Sequence, residues 1–514
     1  MSDAPAVTGP DLTLGYPVDR IPDGGMIEGH VRDEPVLLAR RGAVYYAVGA
    51  RCTHYSGPLA EGLITGDTLH CPWHHACFDL STGRATGGPA LAPIPCYEVQ
   101  RRLDLVVVTG RKLEPQLTGG GDRSRHPASI VILGAGAAGT AAALGLRDEG
   151  YHGKVTLIDR DSGAPYDRPN LSKDYLAGTA PEEWLPLQSS ADLAAHDIRV
   201  IRGQASRIAL PEREVRLADG RAFPFASLLI ATGAEPARLA LPGVDRPQVA
   251  TLRSLSDSRR LIGRAAESRT AVILGAGFLG LEVAASLRHR GLEVHVVAPD
   301  RRPLGKVLGD ALAARLQALH ESHGVVFHLG QVARAIGERD VTLDDGTLLA
   351  ADLVLVATGA RPSTDLAARA GLVLARGIQV DRRLETSVRG IYAAGDVARW
   401  PDPRTGELIG IEHWAFAMRQ GRAAARAMLG DREPFAAVPF FWSQHYDQQV
   451  SYVGHAKSWD RLEVVSGLPA DQWEQHYYAG HELIAVATIG RDQASLAAEA
   501  RLASANRHHL SALA

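Results

Sequence analysis

Four side chains near the start of the sequence could together hold a metal centre. One residue separates Cys52 from His54, two separate Cys71 from His74, and sixteen lie between His54 and Cys71. Cys-x-His followed by Cys-x-x-His offers two thiolates and two imidazoles from opposed loops, a set that suits zinc or a two-iron cluster. Zinc fingers usually space the first pair by two to four residues and the histidines by three to five. The single-residue gap here fits a [2Fe-2S] centre, with both cysteines on one iron and both histidines on the other.

Two later stretches could hold phosphates. Residues 130–133 form an apolar run that enters Gly134-Ala135-Gly136-Ala137-Ala138-Gly139, and a near copy follows at Gly275-Ala276-Gly277-Phe278-Leu279-Gly280 after residues 272–274. In such a loop the first glycine permits the tight turn and the second lets backbone approach a pyrophosphate. The third lets the helix pack on the strand, with its N-terminus facing the phosphates. A second strand, 154–158, ends at Asp159, twenty residues after Gly139, where an acid can accept both ribose hydroxyls of an adenosine. Ala231-Thr232-Gly233 and Gly395-Asp396 end two further apolar strands in small residues that backbone or cofactor can approach. Ala357-Thr358-Gly359 echoes the first of these, so the second nucleotide domain reads as an insertion. Its own second strand, 293–297, runs into Asp300-Arg301-Arg302. Asp300 in the ribose role favours NADH, whereas Arg301 or Arg302 could instead hold the 2′-phosphate of NADPH.

The elements that must position these groups divide the chain. Strand-like runs at 35–39, 43–48 and 103–108, separated by glycine and charged turns, predict a small all-β domain over 1–112. Residues 113–127 are polar and glycine-rich and predict a tether. An α/β dinucleotide domain is expected at 128–245 and 363–430, interrupted by a second at 246–362. Residues 431–514 read as a small α+β interface domain whose final helix, 493–507, turns its charges to solvent.

At Cys71-Pro72-Trp73-His74 the loops resemble those of Rieske ferredoxins. The respiratory variety adds a cysteine to each loop, and neither is found here, so the resemblance implies a potential at the low end of the range of about −150 to +300 mV. His75 stands where such ferredoxins commonly have glycine, and would either perturb the second loop or sit beside it. Cys77 and Cys96 read as buried small hydrophobes. Pro165-Tyr166-Asp167-Arg168-Pro169-Asn170-Leu171-Ser172-Lys173 resembles the flavin-contacting segment of oxygenase-serving ferredoxin reductases and apoptosis-inducing-factor-like oxidoreductases. The resemblance implies that Arg168 holds FAD, that Asp396 contacts its ribityl and pyrophosphate region, and that Lys173 lies near flavin N5, paired with Glu282. It further implies Trp414 at the flavin-nicotinamide region and Trp442 near the flavin. Family members often carry glutamate where Ala298 ends the nicotinamide strand, a departure in this chain.

Composition narrows the reading. The 514 residues are 46% hydrophobic and 22% charged, enough for three or four domains with cores, and the net charge of −3 gives no basic excess for nucleic acid. The N-terminus lacks a leader pattern and no apolar run approaches membrane-spanning length, so a cytoplasmic protein, monomeric or homodimeric, is expected. All four cysteines lie in the first hundred residues, which excludes a redox-active dithiol or peroxidatic thiol beside the flavin. An aromatic-ring oxygenase also begins with a Rieske domain, but it needs a second iron on two histidines and a carboxylate. His445-Tyr446-Asp447 and His508-His509 do not make one.

Over nearly its whole length the chain resembles Rieske-containing apoptosis-inducing-factor-like NAD(P)H oxidoreductases. That implies electrons moving from NADH through FAD and a fused Rieske cluster to a redox partner protein, such as an oxygenase component or ferredoxin, or to a small molecule. A sensor that changes oligomeric state on reduction, and a quinone or small-molecule reductase with a peripheral Rieske module, are the alternatives.

Overall fold

The computed structural model describes residues 8–112, 126–161 and 163–512; most of the expected tether, 113–125, lies outside them. The N-terminal region is all-β, with a six-stranded antiparallel sheet and a four-stranded sheet. Thr68–His70 and Cys77–Asp79 of the smaller sheet pair antiparallel, and the loop between them carries Cys71 and His74. The first ligand loop follows Val44–Gly49.

Two five-stranded parallel sheets come next, built alike. In the first, Ile198–Arg202, Lys154–Asp159, Ser129–Leu133, Ser227–Ile230 and Ile391–Ala393 lie side by side. In the second, the matching order is Val325–Leu329, Glu293–Ala298, Thr270–Leu274, Leu353–Val356 and Val249–Ala250. Helices cover both faces of a parallel sheet, which is why its strands are continuously apolar; Ile130, Ile132, Leu228 and Leu229 are fully buried. The chain crosses between the two units at Ala234–Pro236 and Ala360–Pro362, which pair antiparallel.

The alanine-rich helix Ala137–Asp148 packs on Trp414–Met428. A Cβ at Gly421 would fall 2.1 Å from the Ala138 carbonyl, so only glycine allows this approach. The C-terminal region is a five-stranded antiparallel sheet with the helix Asp492–Ala512 across it. That helix is longer than expected and its charges are not all solvated: Glu499 is buried in an ion pair with Arg419 of the Trp414 helix. Among the described residues no helix is long and apolar enough to cross a membrane.

The nucleotide loops repeat almost to the atom. Gly134 has φ 101° and Gly275 φ 117°, and a Cβ on either would stand 2.3 Å from the Ala231 or Ala357 carbonyl. A Cβ at Gly139 would fall 1.8 Å from the Gly134 carbonyl, while one at Gly136 would meet nothing within 4 Å among the described residues. Helix propensity favours Ala over Gly at 139 by roughly 0.5–1 kcal/mol, and overpacking a closed contact costs about 1–3 kcal/mol, so the clash wins. Gly139→Ala is expected to lower the stability of the apoprotein in urea by at least about 1 kcal/mol, and Gly136→Ala to leave it unchanged while weakening FAD retention. Equal stabilities for the two variants would contradict this reading of the turn.

Candidate redox site

The two ligand loops close in the same way. Cys52 N–H donates to the Gly57 carbonyl at 2.9 Å and Cys71 N–H to the Ala76 carbonyl at 2.8 Å. The fourth residue after each cysteine, Ser56 or His75, is left-handed, with φ 58° and 56°. These turns bring the four donors together as two pairs. Cys52 and Cys71 are close enough for their thiols to interact, which favours ionisation of Cys52 and, with burial, raises Cys71. His54 and His74 face each other with their Nδ1 atoms 3.2 Å apart. Burial pushes the His54 imidazole down to about 3 and His74 well below its ordinary value, so both rings are neutral and can ligate.

Among the described residues no three His, Cys, Asp or Glu side chains converge on one point. A tetrahedral zinc needs four donors around one ion, and two nitrogens on a single ion at its usual bond length stand about 3.4 Å apart. A thiol pair beside an imidazole pair at that separation fits a two-iron cluster instead. Gly57 belongs to the same cradle, because a Cβ there would fall 2.8 Å from Cys71 Sγ. Cys96 is buried as a small hydrophobe. Cys77 is only half-buried and lies 3.5 Å from His70 Nδ1.

The imidazole edge of this site is packed against the rest of the chain. Tyr55 donates its hydroxyl hydrogen to Asp167 and accepts from Asn170 Nδ2 at 3.2 Å. Asp167 Oδ2 also stands 3.9 Å from His54 Nε2. Burial raises the Asp167 carboxyl and, first among several causes, the Tyr55 phenol. On the other side the Trp442 ring lies 4.4 Å from the His74 ring and 6.2 Å from that of His54, centroid to centroid. Trp442 thus touches the candidate iron ligands directly, beyond its expected place near the flavin. Strand alternation explains how: along Phe440–His445, Phe440 and Trp442 stack on one side, while Phe441 meets Phe278 and Ser443 meets Glu282 on the other.

Six residues beyond Asp167, Lys173 Nζ binds Glu282 Oε2 at 2.8 Å and the Pro169 carbonyl at 3.1 Å. Glu282, on the second nucleotide helix Phe278–His289, also accepts from Ser172 Oγ at 2.5 Å and Ser443 Oγ at 2.7 Å. Three regions of the chain therefore meet on one carboxylate. Arg168 donates to the Arg253 carbonyl, and Arg253 Nη2 binds Asp396 Oδ2 at 2.6 Å. Gly233 lies beside the same guanidinium, a Cβ there meeting it at 3.4 Å. Trp414 starts its helix with the indole Nε1 buried and without a partner among the described residues. That orphan donor and the open space over Gly136 fit a bound FAD. Gly277, equally open, and Gly280 repeat the arrangement for a nicotinamide dinucleotide.

Asp159 ends its strand half-buried, with burial raising its carboxyl. Asp300 follows the nicotinamide strand and is ion-paired with Lys306 at 2.6 Å. Gly359 ends the matching strand with φ 109°. His445 bonds to His320 at 3.1 Å, and His509 lies 3.9 Å from Glu482, apart from it. Sequence reasoning missed Tyr55, Asp167, Ser172, Arg253 and Ser443 as members of the site. Asp167 and Ser172 lay within the flavin-type segment, so their place beside Arg168 and Lys173 was the available signal.

Comparison with known proteins identifies the domains that carry these residues. Residues 128–421 match the family model for pyridine nucleotide-disulphide oxidoreductases, residues 14–98 that for the Rieske [2Fe-2S] domain, and residues 440–514 that for the reductase C-terminal domain. Human apoptosis-inducing factor 3 is 32% identical over 92% of this chain and 81% of its own. The ferredoxin--NAD(+) reductase component of the biphenyl dioxygenase system of Paraburkholderia xenovorans (strain LB400) is 37% identical over 64% of this chain and 81% of its own. Among solved structures, the covalent putidaredoxin reductase-putidaredoxin complex superposes with a TM-score of 0.71 at 30% identity, covering 73% of this chain and 93% of that one.

Glu282→Ala would strand the largely buried Lys173 ammonium, an uncompensated charge that costs about 3–5 kcal/mol. The double variant Glu282→Ala/Lys173→Met is expected to be more stable than the sum of the single losses. Chemical denaturation of all four proteins measures the coupling, and strict additivity would contradict the ion pair.

Proposed function

The chain belongs to the pyridine nucleotide-disulphide oxidoreductase family, and from that premise we propose that it takes electrons from NADH and delivers them, through FAD and its own Rieske cluster, to an external acceptor. The observation that carries this is the packing of the His54 and His74 rings against Asp167 and Trp442, beside the Lys173–Glu282 pair. It supports a Rieske module within the circuit over a peripheral one. When bound, FAD supplies the exchange between a two-electron hydride and the single electrons that a [2Fe-2S] cluster accepts.

The chain's own residues would then bind and orient. Cys52 and Cys71 would hold one iron, His54 and His74 the other. Gly134, Gly136 and Gly139 would cradle the FAD pyrophosphate, Asp159 the adenosine ribose, and Ala231 and Gly233 would let backbone approach the cofactor. Arg168 would hold the flavin nucleotide, and Asp396, fixed by Arg253, its ribityl region. Lys173 would hold positive charge near flavin N5, stabilising the reduced anion, and Glu282 would fix that ammonium in place. Trp414 would aim its N–H at the flavin-nicotinamide region, and Trp442 would fill the gap between flavin and cluster. Gly275, Gly277, Gly280, Gly359 and Asp300 would receive NADH. We assign the domains as 1–112 (Rieske), 128–245 with 363–430 (FAD), 246–362 (NAD) and 431–514 (C-terminal), joined by a tether at 113–127.

The acceptor is a redox protein, either a small ferredoxin-like carrier or an oxygenase component; the names of the dioxygenase-system and putidaredoxin relatives support that class. The sensor alternative draws support from the similarity to apoptosis-inducing factor 3 over 92% of the chain, and turnover separates the two. Anaerobic mixing with NADH is expected to bleach flavin absorbance and then produce the EPR signal of a reduced Rieske cluster. Cys52→Ser should abolish the second event and spare the first. A reduced flavin beside a cluster that stays oxidised would contradict the relay, and NADH-dependent dimerisation without turnover would favour the sensor.

A further inference from the structure

His75 directly follows His74, takes no part in the donor set, and is nevertheless fully buried. The left-handed turn that it occupies is natural for glycine and strained for most side chains. Backbone needs therefore do not explain an imidazole here. Its contacts do, and they lie outside the Rieske region.

His75 Nδ1–H donates to the Glu499 carboxylate, and Nε2 accepts from Ser495 Oγ at 3.0 Å, both on the C-terminal helix. The ring lies flat on Phe440, centroids 3.8 Å apart and planes 9° apart. The His75 carbonyl accepts from Arg419 Nη2 at 3.1 Å, while Arg419 Nη1 binds the second oxygen of Glu499. Burying the Arg419–Glu499 pair opposes docking unless its remaining hydrogen bonds are satisfied. Two of these bonds come from the ring N–H and the carbonyl of His75 and a third from the Val438 carbonyl at 3.3 Å, while Arg419 Nε keeps no partner among the described residues. Without His75 in place two more of the pair's polar atoms would be stranded, which favours one register of the Rieske domain. Close packing surrounds this lock. A Cβ at Gly88 would fall 2.6 Å from Met418 Cβ, Gln493 Nε2 donates to the Gly62 carbonyl at 2.8 Å, and Gln449 Nε2 to the Trp73 carbonyl at 3.2 Å.

We propose that His75 is a docking residue: with Glu499, Ser495 and Arg419 it holds the Rieske domain fixed on the FAD and C-terminal domains of its own chain, so that the relay runs without a swinging domain. The purpose of the lock rests on the relay reading; its existence does not. The first arm of the test therefore uses oxidised holoenzyme without NADH. His75→Gly keeps the turn and removes the imidazole, and Ser495→Ala removes one bond from the opposite side.

In His75→Gly, with iron content and visible spectrum retained, hydrogen exchange of segments 71–77 and 437–443 is expected to rise about tenfold or more, and small-angle scattering to show an expanded particle. Ser495→Ala should move both readouts in the same direction, and His75→Asn, which can still donate and accept, should recover part of the protection. After NADH is added, flavin reduction should proceed as in the wild type, while electron transfer to the cluster slows about tenfold or more and slows further in viscous solvent. That viscosity dependence marks a domain that must now find its dock. Unchanged exchange and scattering in His75→Gly would overturn the proposal, as would loss of the cluster in both His75→Gly and His75→Asn, which would assign His75 to the ligand loop. An open His75→Gly particle together with a wild-type cluster that NADH never reduces would leave the lock standing and remove the relay.

Discussion

The contact on which the architecture turns is the seating of the His54–His74 edge on the segment from Asp167 to Lys173. Tyr55 reaches from the first Rieske loop to Asp167, and Trp442 closes the other flank against His74. A hydride donor and a one-electron cluster need a converter between them, and the segment proposed to bind that converter is the one that His54 approaches. Neutral, buried rings at this edge turn their Nδ1 atoms toward each other, on the side proposed for iron, and their outer edges against protein.

Glu282 plays the corresponding part for the nucleotide domains. It takes hydrogen bonds from Ser172, Lys173 and Ser443, so the FAD segment, the nicotinamide helix and the C-terminal sheet share one buried carboxylate. A charge in that setting is tolerated because both carboxylate oxygens have donors and one of the donors is an ammonium. The two dinucleotide units around it are copies in sheet order and loop geometry, and they differ at the acid that would meet the ribose. Asp159 ends the second strand of the first unit half-buried, whereas Asp300 lies beyond the matching strand of the other unit and is ion-paired at the surface with Lys306.

Much of this was legible in the sequence because it is local. The ligand spacings, both glycine loops and the strands entering them are set within a few residues, and the Lys173–Glu282 pairing followed from family resemblance. What escaped were contacts between distant positions. Tyr55 and Asp167 are 112 residues apart, Arg253 and Asp396 143, Glu282 and Ser443 161, and His75 and Glu499 424. No periodicity encodes such pairs, and Glu499, one charge on an alanine-rich helix, reads as a solvated residue until a second domain covers it. Trp442 was expected near the flavin from resemblance alone; its contact with the His74 ring needed the Rieske domain in place.

The central claim is that electrons pass from flavin to cluster within a single chain. Its most direct test is the rate of cluster reduction after anaerobic mixing with excess NADH, measured across a wide dilution series of the holoenzyme. An intramolecular relay predicts a first-order rate that does not change with protein concentration. A rate that rises in proportion to concentration would show that the cluster is reduced by another molecule's flavin, and would contradict the account.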